Sequence, residues 1–164
     1  MYTDFMSRRM HICLLIVAAM FVSCSPAQNE QSNKNASTEY EVPIEQEIFL
    51  KDSLSQNESQ YLVFFHSDTC SHCKEIMGDV LSFCKENILK LYFLNIRTPT
   101  NEIKTCPKEE IVVGINNYED LRIAGTPTII KVENGKTTAN VAGKEDCLAL
   151  LNQFRLNYNK QIIA

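Results

Sequence analysis

Positive charge is scarce and scattered in this chain. Sixteen Lys and Arg stand against twenty Asp and Glu in 164 residues, a formal net charge of −4. With no basic stripe and no arginine-rich motif, nucleic-acid binding has no electrostatic support. No internal repeat, phosphate-binding loop or serine triad is visible. No apolar run near the N-terminus spans a bilayer easily: residues 12–22 make only 11. The chain is also too short for two comfortable domains, although a hydrophobic content of 45% allows one sizeable core.

What is present begins with Arg8 and Arg9 ahead of that apolar run, the pattern of a secretion signal, with Met6 and Met10 as alternative starts. The run ends in Phe21-Val22-Ser23-Cys24. This resembles a bacterial lipobox, with Phe21 where an aliphatic residue is usual. The resemblance implies that residues 1–23 are a lipoprotein signal peptide and that Cys24 receives lipid. The chain would then be held on a membrane outside the cytoplasm, periplasmic or at the cell surface. An ordinary cleaved signal, with Cys24 an incidental thiol, and a retained anchor are the plainer alternatives. Residues 24–40 contain Pro26 and several Asn and Gln but no periodic apolar face, which predicts a flexible tether. Residues 41–164 are left for the folded domain, in a compartment that permits disulfides.

Within that domain the pattern predicts an order α, β, α, β, α, β, β, α. An amphipathic opening helix is expected over residues 41–55, with Pro43 delaying its start. Residues 61–66 form a continuous β-prone apolar run, as in a strand buried on both faces. Ile76, Met77, Val80, Leu81, Phe83 and Cys84 recur at helical spacing after it, with Gly78 as an interruption that allows a bend. Residues 89–96 read as a second strand, parallel to the first through a right-handed crossover. Residues 97–110 read as a loop or small insertion, 111–113 as a short strand, and 116–123 as one or two helical turns. Residues 128–132 and 137–141 make a hairpin about Asn134-Gly135. A last amphipathic helix follows Gly143, with Cys147, Leu148, Leu150, Leu151 and Phe154 on or near its buried face. The fold class is α/β: a three-layer sandwich with a central mixed sheet flanked by helices.

Two segments carry chemistry. Cys70-Ser71-His72-Cys73 follows the first strand and opens a helix, and Gly125-Thr126-Pro127-Thr128 precedes another strand. Two cysteines three apart at a helix start can close a ring, open it and pass two electrons on. A proline just before a strand is a candidate cis-proline that holds backbone close to those sulfurs. Cys-x-x-C alone also suits zinc. With the flanking strand and helix, the Thr-Pro turn and the Asn-Gly hairpin, the chain resembles the thioredoxin superfamily over residues 41–157.

That resemblance implies that Cys70 is the exposed nucleophile and Cys73 the buried resolving thiol. It implies a cis Pro127 and a Thr126 whose backbone bonds an extended substrate peptide. Ser71 and His72, inside the ring, are placed to tune the sulfurs. The helix N-terminus and His72 would favour the Cys70 thiolate, which stabilises the reduced form and biases the couple toward oxidation or shuffling. The plain reading of His72 is a solvated loop residue. The chain departs from thioredoxin itself at Phe64, where thioredoxin keeps a buried aspartate, and at His66 and Thr69, where it has tryptophans. A helix-kinking proline is replaced by Gly78, and residues 97–115 are longer than the family core.

The function expected is thiol–disulfide exchange with cysteine-containing secreted or membrane proteins and a redox partner. The Cys70–Cys73 disulfide is the working group; no other cofactor, no metal and no nucleic acid is implied. With no dimerisation domain of the isomerase kind, a monomer is expected. One alternative is a chaperone holding Cu(I) or zinc on Cys70, His72, Cys73 and His66. Another is an accessory factor serving a single export or toxin-maturation client. Of the remaining thiols, Cys84, Cys106 and Cys147 cannot all pair within the chain. A Cys84–Cys147 bridge, a Cys106 bridge or exchange thiol, and simple burial as small hydrophobes are the alternatives. His66 either tunes the thiols or merely ends its strand.

Overall fold

The computed structural model describes residues 40–163. The signal run, Cys24 and all but the end of the tether lie outside the described residues. The described chain forms β1 (Gln60–His66), α1 (Ser71–Glu86), β2 (Leu91–Asn95), β3 (Lys104–Thr105), β4 (Arg122–Ile123), β5 (Thr128–Glu133), β6 (Lys136–Ala142) and α2 (Lys144–Ile163). Four 3-10 turns, at Ile44–Gln46, Leu50–Asp52, Lys108–Glu110 and Tyr118–Asp120, complete it.

The main sheet has the order β2-β1-β5-β6. β1 pairs parallel with β2 through the α1 crossover, and antiparallel with β5, which pairs antiparallel with β6. β1 occupies the centre because it is apolar on both faces, so each face can drive a core. Tyr61, Val63 and Phe65 join one core with Leu94, Leu121 and Ile130. Leu62 and Phe64 join the other with Ile76, Val80, Phe83, Phe93 and Leu151, under the two helices. Each of these large side chains contributes about 1.5–3 kcal/mol by leaving water.

α1 is unbroken through Gly78, whose bare flank lies against the Tyr40 ring; an added Cβ would stand 3.5 Å from its hydroxyl. α1 ends at Asn87, in the left-handed conformation (φ 51°). α2 lies beside α1 and runs in the same direction. Lys144 Nζ meets Glu75 Oε2 at 2.6 Å, and Arg155 grips both oxygens of Glu86 at 2.7 and 2.9 Å. The hairpin turns on Asn134 (φ 48°) and Gly135 (φ 74°), the pairing that a two-residue turn with positive φ requires.

Three expectations are corrected. The opening helix over 41–55 is replaced by two 3-10 turns, because its backbone donors go elsewhere. Ile48 N–H bonds the carbonyl of Phe93 in β2 at 2.9 Å, and Leu50 N–H bonds Asn101 Oδ1 at 2.8 Å. Ile44 and Phe49, apolar residues of this segment, are exposed. Residues 111–113 form no strand; the insertion supplies β3 instead, which pairs parallel with β4. The helical turns expected over 116–123 shrink to Tyr118–Asp120, since Arg122 and Ile123 are drawn into that two-stranded sheet. The face of the main sheet away from the helices is thus closed by 3-10 turns and the β3–β4 pair.

Candidate active site

Cys70 caps the N-terminus of α1. The approach is a tight turn in which Cys70 N–H bonds Ser67 O at 3.1 Å and Ser67 Oγ shares a hydrogen with Thr69 Oγ1 at 3.0 Å. Cys70 Sγ then accepts the backbone N–H of Cys73 at 3.2 Å. An N-cap atom meets the unpaired amides and positive end of the helix dipole, which favours negative charge there. Cys73, one turn on, is buried at 1% exposure.

The loop before β5 closes over the pair. The Thr126–Pro127 peptide is cis, and Gly125 takes φ 123°, a region open to glycine. Thr128 Oγ1 donates to Gly125 O at 2.7 Å and Gly143 N–H donates to Pro127 O at 2.9 Å, fastening the loop to β5 and to the start of α2. The Cys70 thiol reaches the Thr126 carbonyl at 3.3 Å. Pro127 is buried and Thr126 half-buried.

The two sulfurs differ sharply in acidity. Burial alone would raise the Cys70 pKa, but the Cys73 thiol, the Thr126 side chain and the N–H groups of Cys73 and His72 outweigh it and bring it below 9.0. Burial, followed by the hydrogen bond to Cys70, pushes Cys73 up to about 12. One sulfur is therefore partly exposed and eased toward the thiolate, and the other is buried and held as the thiol.

Ser71 is exposed at the first helical position, and His72 at the second. The His72 ring turns away from the sulfurs: Nδ1 stands 3.5 Å from Glu75 Oε1, and the Glu75 carboxylate is itself paired with Lys144. What His72 brings to Cys70 is its backbone N–H. Its imidazole was expected at the thiolate; the neighbouring Glu75–Lys144 pair explains why it lies elsewhere. No group of three or more His, Cys, Asp or Glu converges as a metal site among the described residues.

All five described cysteines are free thiols. A Cys84–Cys147 bridge is ruled out by helix register. The Glu75–Lys144 and Glu86–Arg155 contacts share a separation of 69 residues, so α1 and α2 run in step. Cys84 and Cys147 are then six residues out of step, roughly 9 Å along the axes. A disulfide tolerates a Cα separation of about 7 Å at most. Both act as small core groups, raised by burial to about 11 and about 12 respectively. Cys106 is half-buried in the insertion, its N–H on Ile123 O at 3.1 Å.

A family model described as a thioredoxin-like domain matches residues 26–155. The chain belongs to that family. Among solved structures it is similar to thioredoxin f2 of Chlamydomonas reinhardtii, with 20% identity and a TM-score of 0.45, over 65% of this chain and 93% of that one. A mutant thioredoxin from Halobacterium salinarum aligns at 16% identity and a TM-score of 0.45, over 70% and 93%. A thioredoxin of Schistosoma mansoni aligns at 16% and 0.43, over 66% and 95%. The thioredoxin-like fold and the Cys70–Cys73 pair define the class of chemistry as thiol–disulfide exchange.

Proposed function

We propose that this protein is an extracytoplasmic, lipid-anchored oxidoreductase that exchanges disulfides with secreted or membrane proteins through Cys70 and Cys73. The observation that carries this reading is the split burial and acidity of two free thiols one turn apart at a helix tip. A half-exposed thiol with lowered pKa attacks, and a buried one held near 12 resolves. The half-buried Thr126, beside the Cys70 sulfur, supports docking of an extended peptide against that loop. Stabilisation of the Cys70 thiolate favours the dithiol, so the couple leans toward oxidising its clients. Its origin is the backbone amides and neighbouring side chains rather than the His72 charge.

Lipid attachment rests on the 21–24 segment and the preceding apolar run. Loss of labelled-palmitate incorporation in Cys24→Ala tests it; equal labelling of that variant refutes it. For the chemistry, Cys70→Ser should abolish exchange and Cys73→Ser should accumulate mixed disulfides through Cys70. Normal exchange by Cys70→Ser would end the assignment. A reduction potential as low as that of a general cytosolic reductase, about −270 mV, would reverse the direction.

A further inference from the structure

The starts of α1 and α2 are tied together at one carboxylate. Glu75, in the second turn of α1, gives Oε2 to Lys144 Nζ at 2.6 Å, and its Oε1 stands 3.5 Å from His72 Nδ1. Lys144 opens α2 directly after Gly143, whose N–H holds the Pro127 carbonyl at 2.9 Å. The carboxylate is therefore anchored to the segment that fastens the Thr126–Pro127 loop. The Lys144 ammonium, with a smaller pull from His72, holds the Glu75 carboxyl below 4.5, so the group is an anion at neutral pH.

His72 lies between the two cysteines, yet what it brings to the Cys70 sulfur is its backbone N–H. Helical side chains lean back toward the helix N-terminus, which for His72 is the direction of Cys70. The contact with Glu75, three residues on, draws the ring the other way. The backbone nitrogen of His72 already touches the sulfur, and Nδ1 is only a few bonds from that nitrogen. A change of side-chain rotamer separates the two placements of the ring.

We propose that Glu75 is a positioning residue that holds down the reduction potential of the Cys70–Cys73 couple by keeping the His72 imidazole away from the Cys70 thiolate. The inference rests on the exchange reading above. A ring released from Glu75 leans toward Cys70, where its N–H donates to the thiolate. A stabilised thiolate stabilises the dithiol, and the disulfide becomes more oxidising. The restraint comes from outside the Cys-x-x-C segment: Glu75 supplies the pull, and Lys144 keeps Glu75 in place.

Exposure bounds the effect. The side chains of His72 and Glu75 are both exposed, and a surface contact of this kind changes an equilibrium by up to about fivefold. The same exposure means that substituting either residue opens no cavity in the core.

The test equilibrates the full-length chain at pH 7 with reduced and oxidised glutathione. The Cys70–Cys73 disulfide and two glutathione thiols become the dithiol and one glutathione disulfide; one S–S bond breaks, one forms, and two electrons and two protons pass to the pair. After acid quenching and alkylation, mass spectrometry scores Cys70 and Cys73. Glu75→Gln should shift the equilibrium toward the dithiol by about threefold to fivefold, a rise of about 15–20 mV. In a His72→Asn background the same substitution should leave the potential unchanged, because no ring is left to release. An equal shift in both backgrounds would mean that the carboxylate acts on the sulfur directly through its charge, and overturns the proposal. No shift, or a fall, with His72 present overturns it as well. If the parent pair forms no disulfide in any glutathione mixture, the exchange reading itself fails, and this inference with it.

Discussion

The thiol of Cys70 donates to the carbonyl oxygen of Thr126 across 3.3 Å, joining a helix cap to a loop 56 residues later in the chain. The contact sets the sulfur at the edge of the loop while α1 amides hold its other side. Reactivity at Cys70 therefore depends on both elements keeping their places.

Alkylation should discriminate among the thiols. Cys70 lies below 9.0, whereas Cys84 stands at about 11 and Cys147 at about 12. Iodoacetamide at pH 7 should modify Cys70 at least 100-fold faster than either, since the thiolate is the reactive form. Mass spectrometry of time-quenched samples checks this; comparable rates at Cys70 and Cys84 would contradict it.

The reduced protein should lose stability in alkali. Cys73, Cys84 and Cys147 all have folded pKa values raised above 9.0, mainly by burial. Their contribution is complete below the unfolded value and is lost as pH rises through 9 toward 11 and 12, because the unfolded chain releases those protons first. Tyr61 and Tyr92, also raised, act in the same sense. The melting temperature of the dithiol form should therefore fall between pH 9 and 11, and Cys84→Ala should flatten the slope. An unchanged melting temperature across that window would refute the assignment.

Thr128→Val keeps the shape of a buried side chain but removes the hydroxyl that bonds Gly125 O at 2.7 Å. The expected loss is about 1–3 kcal/mol for the carbonyl left behind. Because this bond fastens the Thr126 loop, the rate of attack by Cys70 should also drop, by roughly fivefold if about 1 kcal/mol of positioning is lost. Denaturant unfolding and the initial rate of reaction with a model disulfide measure the two effects; a variant equal to the parent in both would remove the hydroxyl from the account.

Gly135→Ala provides the contrast. Gly135 has φ 74°, and an added Cβ would stand 3.4 Å from the Leu54 carbonyl. A left-handed conformation costs a non-glycine residue about 1–2 kcal/mol. The turn lies at the opposite end of β5 from the sulfurs. Stability should fall by about that amount with the exchange rate unchanged, and a parallel loss of rate would show that the hairpin end couples to the site.

Much of this arrangement is legible in local sequence. The run 61–66 reads as a strand buried on both faces because six apolar or aromatic side chains follow one another without a break. The spacing of Ile76, Met77, Val80 and Phe83 reads as the inner face of a helix because it matches a 3.6-residue period. Asn134-Gly135 reads as a turn because both positions need positive φ. The segment 41–55 misleads for a related reason. Its apolar residues fall at helical intervals, yet Phe93 and Asn101 claim its backbone N–H groups, and no period in the segment records those distant acceptors.

Local patterning dictates the order of most elements, the apolar centre of the sheet and the placing of two sulfurs one turn apart at a helix start. Each depends on residues within a turn or a strand of one another. Long-range packing settled how closely the Thr126 loop approaches Cys70, set the His72 ring on Glu75 and put Cys84 and Cys147 out of step. Those outcomes turn on contacts between residues dozens of positions apart, such as Cys70 with Thr126 and Glu75 with Lys144, and a hydrogen bond or ion pair acts only over a few ångströms, which chain folding alone supplies.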